Sequence, residues 1–119
     1  MQYTHNDIVA LHKKYAASDV VYDLVFTHSC IVRDIALQLL DTNRYGVGLD
    51  RKLVEIGALL HDIGVYRLFE ANGKLREGVS YITHGVEGER ILREEGFSKK
   101  YMALCSTSHR SWPIEARCY

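Results

Sequence analysis

Apolar positions recur along this chain at intervals of three and four, the period of helices that bury one face. Thr4 followed by Asp7 has the spacing of an N-terminal cap, and Ile8, Leu11, His12 and Tyr15 then share one face of a short first helix. Ser18-Asp19 opens a second helical stretch reaching about Leu40, with Val21, Leu24, Val25, His28, Ile31, Ile35 and Leu39 at helical spacing. A glycine- and asparagine-containing link covers Asn43 to Gly48. Asp50 is placed to cap a third helix, on which Val54, Gly57, Ala58 and His61 share a face. Gly57 and Ala58 are small enough to admit a neighbouring helix, and Gly64 stands where a glycine commonly stops a helix.

Val65 to Thr83 is a longer connection broken by Gly73 and Gly78, of a length that points to a functional loop or a short helix plus loop. Val86, Gly88, Ile91, Leu92 and Glu95 mark a fourth helix ended by Gly96. Ser98 caps a fifth, with Met102, Cys105 and His109 on one face. From Ser111 the periodicity fades, and Trp112-Pro113 breaks the helix. The expectation is an all-α fold, a compact bundle of about five helices forming one domain over residues 1–119, with an irregular tail from 110.

Composition narrows the class without naming a function. At 119 residues, 47% hydrophobic and 25% charged, the profile is that of a globular domain large enough for one modest core. Fifteen basic residues balance fifteen acidic ones, so no overall charge draws the chain to nucleic acid or to a membrane surface. No apolar run approaches the roughly 20 residues of a membrane span, and Met1-Gln2-Tyr3-Thr4-His5 lacks the features of a secretory signal. Cys30, Cys105 and Cys118 form no CxxC pair and fit reduced thiols, so a cytoplasmic location is expected.

Six histidines carry most of the chemical information. His5 and His12 read as exposed or helix-flanking, and no role is assigned to them. The others do not sit so comfortably. His28 lies on an apolar stripe where leucine would be ordinary, and His61-Asp62 closes the apolar run Leu59-Leu60 just before Ile63-Gly64. A buried titratable pair is costly unless it is paired or binds a metal. With His84 and His109, these residues form a set of imidazole and carboxylate donors, the ligand chemistry of Fe, Mn, Zn, Ni or Co, with Mg possible. The absence of thiolates among them argues against a structural zinc site. A divalent ion held between facing helices with an open position would activate water, and two such ions would clamp the attacking and leaving oxygens of a phosphoester undergoing displacement.

The order His28, then Leu-Leu-His-Asp-Ile-Gly around His61-Asp62, then Thr83-His84-Gly85, then His109, resembles the HD superfamily of metal-dependent phosphohydrolases. It is most similar to the small, stand-alone HDIG-type members, over roughly Ser18 to His109. The resemblance implies an all-helical bundle, with His28 as the first metal ligand and His61 and Asp62 as the signature pair. It also implies that His84 and His109 fill the places of two further histidines found in two-metal members. The implied activity is hydrolysis of a small phosphoester, a nucleotide being one candidate, with His61 and Asp62 as catalytic residues and Asp62 doubling as proton acceptor.

The family's final ligand is an aspartate on a later helix, and no aspartate follows Asp62 in this chain. Glu115 is the only carboxylate beyond His109. Substitution by Glu115, replacement by water, or loss of the final helices would each account for this. The loss of helices is favoured, because the apolar periodicity fails at the same place. Such a loss uncovers apolar surface and favours self-association, so a homodimer or other homo-oligomer is expected.

Phosphate ligands call for nearby cations, and Arg33, Arg67, Lys74 and Arg76 are the candidates for the rim of the site. The aromatic residues Tyr66, Phe69 and Tyr81 could stack on a base, although core packing is the plainer reading. Two rivals stand beside a hydrolase. One is a degenerate member that binds a metal or ligand as a regulatory module without turnover. The other is a helical bundle whose histidines are simply hydrogen-bonded core groups.

Overall fold

The structure, a computed structural model, describes residues 3–42 and 50–110, the last five of these by their backbone alone. Five α-helices follow one another: α1 (His5–Tyr15), α2 (Asp19–Asp41), α3 (Arg51–Leu60), α4 (His84–Glu94) and α5 (Lys99–Arg110). Short 3-10 segments at Ile63–Arg67 and Tyr81–Thr83 lie between α3 and α4. Among the described residues no strand forms; a single antiparallel bridge, Phe69 with Leu75, closes a small turn at Gly73 in the long connection. The fold is all-α. The 43–48 link, Trp112-Pro113 and Glu115 lie outside the described residues, as does the His109 side chain.

The helix starts follow from the expected side chains. Thr4 and Asp7 form a reciprocal capping box at α1. The Ser18 hydroxyl accepts from the Val21 amide at α2, and the Asp50 carboxylate accepts from the Lys52 and Leu53 amides at α3. Gly96 adopts φ +81°, which ends α4 as a left-handed residue that glycine occupies at little cost. The core forms where α1, α3, α4 and the 3-10 segment meet, around Ile8, Ile56, Leu59, Leu60, Ile63 and Ile91. α2 packs along α3, and α4 packs on both α5 and the Ile63–Arg67 segment.

Two glycines depart from or sharpen the sequence expectation. Gly64 does not stop α3 with a left-handed turn; it lies within the 3-10 segment, where that segment crosses α4. A Cβ there would fall 2.0 Å from the His84 carbonyl oxygen and 2.3 Å from the Gly88 nitrogen. Its role is close backbone approach. Gly57, by contrast, admits Leu104 of α5, as its small size led one to expect.

The stripe on α2 also splits in two. Val21 and Val25 are buried, while Leu24, Ile31, Ile35 and Leu39 are about half exposed and Val20 still more so. α2 therefore carries two apolar faces, and among the described residues only one is covered. Val86 of α4 is likewise exposed, whereas Gly88, Ile91 and Leu92 face inward.

Candidate metal centre

α3 ends one residue before the dyad, and that ending is what lets two adjacent side chains act together. Consecutive residues on a regular helix point about 100° apart. His61 still has helical dihedrals as the C-cap, but Asp62 turns to φ −110°, ψ 17° and starts the 3-10 segment. The change brings His61 Nε2 within 3.1 Å of Asp62 Oδ2. From α2, His28 places Nε2 3.0 Å from the same oxygen. From the first residue of α4, His84 places Nε2 3.5 Å from Asp62 Oδ1. Asp62 is thus the hub, with two imidazoles on one oxygen and a third on the other.

The far nitrogens are tied down. His61 Nδ1 lies 2.6 Å from the Ala58 carbonyl and His84 Nδ1 2.8 Å from the Tyr81 carbonyl. A carbonyl only accepts, so in each ring Nδ1 carries the hydrogen and Nε2 faces Asp62. Backbone anchoring of one ring nitrogen is the usual way a ligating histidine is oriented. His28, His61 and Asp62 each offer one donor atom, all within 4.8 Å of one another. Donors bound to one ion at about 2.1 Å stand roughly 3.0–3.4 Å apart in tetrahedral or octahedral arrangements. The His28–Asp62 and His61–Asp62 separations have that spacing. These three residues fit a divalent ion with nitrogen and oxygen ligands.

Residues 25–118 match the model of the HD domain family. The chain belongs to the HD domain family. HD domains are generally metal-dependent phosphohydrolases and bind divalent metals. The chain is also similar to an uncharacterized protein of Methanocaldococcus jannaschii, 38% identical over 86 residues. That match covers 71% of this chain and 44% of the relative, so the chain spans less than half the length of the curated protein it matches. No solved structure matches it.

In this HD domain the charge balance of the dyad is set by burial and by the partners. Burial pushes the Asp62 carboxyl up, but the His61 hydrogen bond and the positive character of His61, His84 and His28 outweigh it, leaving the carboxyl below its ordinary range. Burial pushes His61 down, yet the Asp62 hydrogen bond and charge, with the Ala58 carbonyl, carry it above the ordinary histidine value. The site is open on one side: the His28 side chain is 55% exposed, against 11% for Asp62 and 12% for His84. No helix among the described residues is long and apolar enough to cross a membrane.

The basic residues of the expected rim are placed differently from one another. Arg67 is held by Glu87 at 3.3 Å and Glu94 at 2.7 Å and lies over the Tyr15 ring, so it fastens α4 to the 3-10 segment and α1. Arg33 pairs with its neighbour Asp34. Lys74 is exposed at the small turn, and Arg76 sets its Nε 3.4 Å from the Phe69 carbonyl. Tyr66 is buried in the core, while Tyr81 is partly exposed with its ring 4.8 Å from that of His84. Phe69 is partly buried, its ring 6.4 Å from that of Tyr81.

His5 is exposed as expected, but His12 is not. His12 is fully buried, with Nε2 2.8 Å from the Leu59 carbonyl and Nδ1 2.5 Å from the Tyr66 hydroxyl. The signal was its place on the Ile8–Leu11–Tyr15 face, which outweighs the general tendency of histidine to be partly exposed. Burial pushes its pKa down to about 4, the Leu59 contact offsetting part of the effect. An unfolded chain with an ordinary value near 6.5 takes up the proton first, so stability is full above about pH 6.5 and is lost as pH falls towards 4. The loss from this one group is about 3 kcal/mol. Urea unfolding of the wild type and His12→Gln between pH 7 and 4 checks it: the variant should show the shallower decline, and equal slopes would refute the assignment.

Proposed function

We propose that this HD domain is a hydrolase of a small phosphoester, with a nucleotide as a candidate substrate. The observation that supports the reading most is the convergence of His28, His61 and Asp62 on one point, with the rings of His61 and His84 oriented by backbone carbonyls. A bound divalent ion would polarise a phosphoryl oxygen and activate water. His28, His61 and Asp62 would hold it. His84, beside the second oxygen of Asp62, would steady charge on the phosphate or serve a second ion. Asp62, which its neighbours hold ionised, would double as the proton acceptor. Arg33, Arg67, Lys74 and Arg76 are the basic residues we propose for phosphate contact; Arg33 and Arg67 would have to release the carboxylates they pair with. A phosphatase screen over nucleotides with added Mn²⁺, Co²⁺ or Fe²⁺ tests the proposal. Metal-dependent phosphate release supports it, and no release with any ion contradicts it.

A second reading, a metal- or ligand-binding regulatory module without turnover, has its own support. Downstream of Asp62, Glu87, Glu89, Glu94 and Glu95 are each paired with a basic side chain, and among the described residues the gathered donors are His28, His61 and Asp62 with no later carboxylate. Elemental analysis beside the screen separates the two, since bound metal without turnover favours the module.

For the partner we propose a second copy of the chain, docked on the exposed face of α2. Val20, Leu24, His28, Ile31, Ile35 and Leu39 are spaced 4, 4, 3, 4 and 4 residues apart, a sequence that reads the same in both directions. A two-fold interface presents one patch to itself. An antiparallel pairing of α2 with its symmetry mate sets Val20 against Leu39 of the partner subunit, Leu24 against the partner's Ile35 and His28 against the partner's Ile31. No acid then faces an acid. Ile35→Lys should turn the dimer into a monomer in sedimentation analysis, and a monomeric wild type at tens of micromolar would overturn the pairing.

A further inference from the structure

The last four carbonyls of an α-helix have no intrahelical donor, and in a buried setting each needs another partner. At the end of α3 three consecutive carbonyls are met by side chains from three parts of the chain. Ala58 accepts from His61 Nδ1 at 2.6 Å, Leu59 from His12 of α1 at 2.8 Å, and Leu60 from the Cys105 thiol of α5 at 3.6 Å. Leu59 and Leu60 are fully buried, so protein groups rather than bulk water answer this need.

The partners of His12 settle its tautomer. The Leu59 carbonyl can only accept, which places the hydrogen on Nε2. Nδ1 then accepts from the Tyr66 hydroxyl at 2.5 Å. An uncharged ring with one donor and one acceptor, both used, removes most of the cost of burying a polar group. Apolar docking of α1 already has Ile8 and Leu11. What His12 adds is a directed bond to the carbonyl two residues ahead of His61.

We infer that His12 is a positioning residue for the dyad: by holding the Leu59 carbonyl through Nε2–H, it fixes the helix end from which His61 and Asp62 project. The inference rests on the proposed reading of the dyad as a metal site. Tyr66 supports it by holding the ring in the required tautomer.

The test is Co²⁺ binding to the full chain, followed by affinity and by the visible d–d absorption of the bound ion, with circular dichroism to follow the fold. His12→Phe keeps a ring but loses both hydrogen bonds; Co²⁺ affinity should fall about ten- to a hundredfold with an altered d–d band, the usual effect of removing an outer-shell partner. His12→Gln, which retains a donor and an acceptor, should restore both towards wild type. A folded His12→Phe with wild-type affinity and spectrum would overturn the inference, since a merely structural histidine lowers only the melting temperature. If His12→Phe does not fold, Tyr66→Phe replaces it: a severalfold loss of affinity supports the inference, and an unchanged spectrum and affinity refute it. If the wild type itself binds no Co²⁺, the metal reading fails instead. The inference is then judged on the imidazole ¹⁵N signals of His61 in the metal-free protein, which His12→Phe should shift and must not leave unchanged.

Discussion

His61→Ala and Asp62→Ala should each abolish bound metal and any hydrolysis that depends on it, while the helical circular dichroism is retained. The two substitutions act through different losses. His61→Ala removes Nε2 from the triad and also the Nδ1 bond to the Ala58 carbonyl, so the end of α3 loses a partner as well as a ligand. Asp62→Ala removes the atom pair on which His28, His61 and His84 all converge, leaving three imidazoles without the carboxylate they face. Asp62→Asn separates charge from packing, since it keeps the side-chain size and removes the anion. A divalent ion held by two neutral histidines and an amide oxygen loses most of its electrostatic attraction, so this variant too should retain no metal through dialysis. Inductively coupled plasma mass spectrometry of the purified variants gives the answer. Stoichiometric metal or full activity in the Asp62 variants would mean that the ion, or the chemistry, is elsewhere.

Gly64→Ala should be the most destabilising small substitution in the described part of the chain. A Cβ at this position would fall 2.0 Å from the His84 carbonyl oxygen, 2.3 Å from the Gly88 nitrogen and 2.9 Å from the Gly88 Cα. All three are backbone atoms, so no rotamer change relieves the overlap and α4 must move as a body. Overpacking of this kind lies at the upper end of single-site effects, about 4 kcal/mol or more, a large share of the 5–15 kcal/mol that an ordinary domain has in total. Because α4 begins with His84, any fold that survives should also carry that ring away from Asp62. Gly57→Ala is the control. There the close neighbour is the Leu104 Cδ1 methyl at 2.4 Å, the end of a partly exposed side chain that can swing aside, and alanine favours the helix over glycine by about 1 kcal/mol. Thermal unfolding should put Gly57→Ala within about 1 kcal/mol of wild type. Equal stability for the two variants would refute the account of the crossing at Gly64.

The contrast between these glycines shows what could be read from the sequence and what could not. Helix starts were legible because a cap is a local event: Thr4, Ser18 and Asp50 each bond an amide two or three residues ahead. Gly64 was misread as a helix stop because the same residue serves two purposes, and only the three-dimensional crossing with α4 tells them apart. The all-α class and the HD membership were legible for a related reason, since helical periodicity and the Leu-Leu-His-Asp-Ile-Gly run are both short-range patterns. The buried role of His12 depended on contacts 47 and 54 residues away, which no spacing rule reports. On α2 the spacing reads as one apolar stripe, and its division into buried Val21 and Val25 and exposed Leu24, Ile31, Ile35 and Leu39 depends on where α3 packs. Arg67 stood five residues beyond Asp62 and looked available to a ligand, yet Glu87 and Glu94 on α4 claim it.

The nitrogen and oxygen donors gathered at His28, His61 and Asp62 should hold a divalent ion. A crystal of the protein grown with Mn²⁺ or Co²⁺, with diffraction recorded at the absorption edge of that metal, tests this directly. An anomalous peak is expected about 2.0–2.2 Å from His28 Nε2, His61 Nε2 and an Asp62 carboxylate oxygen. An occupied metal peak elsewhere with none at this triad, or a triad still closed by direct histidine–carboxylate hydrogen bonds at saturating metal, would contradict it.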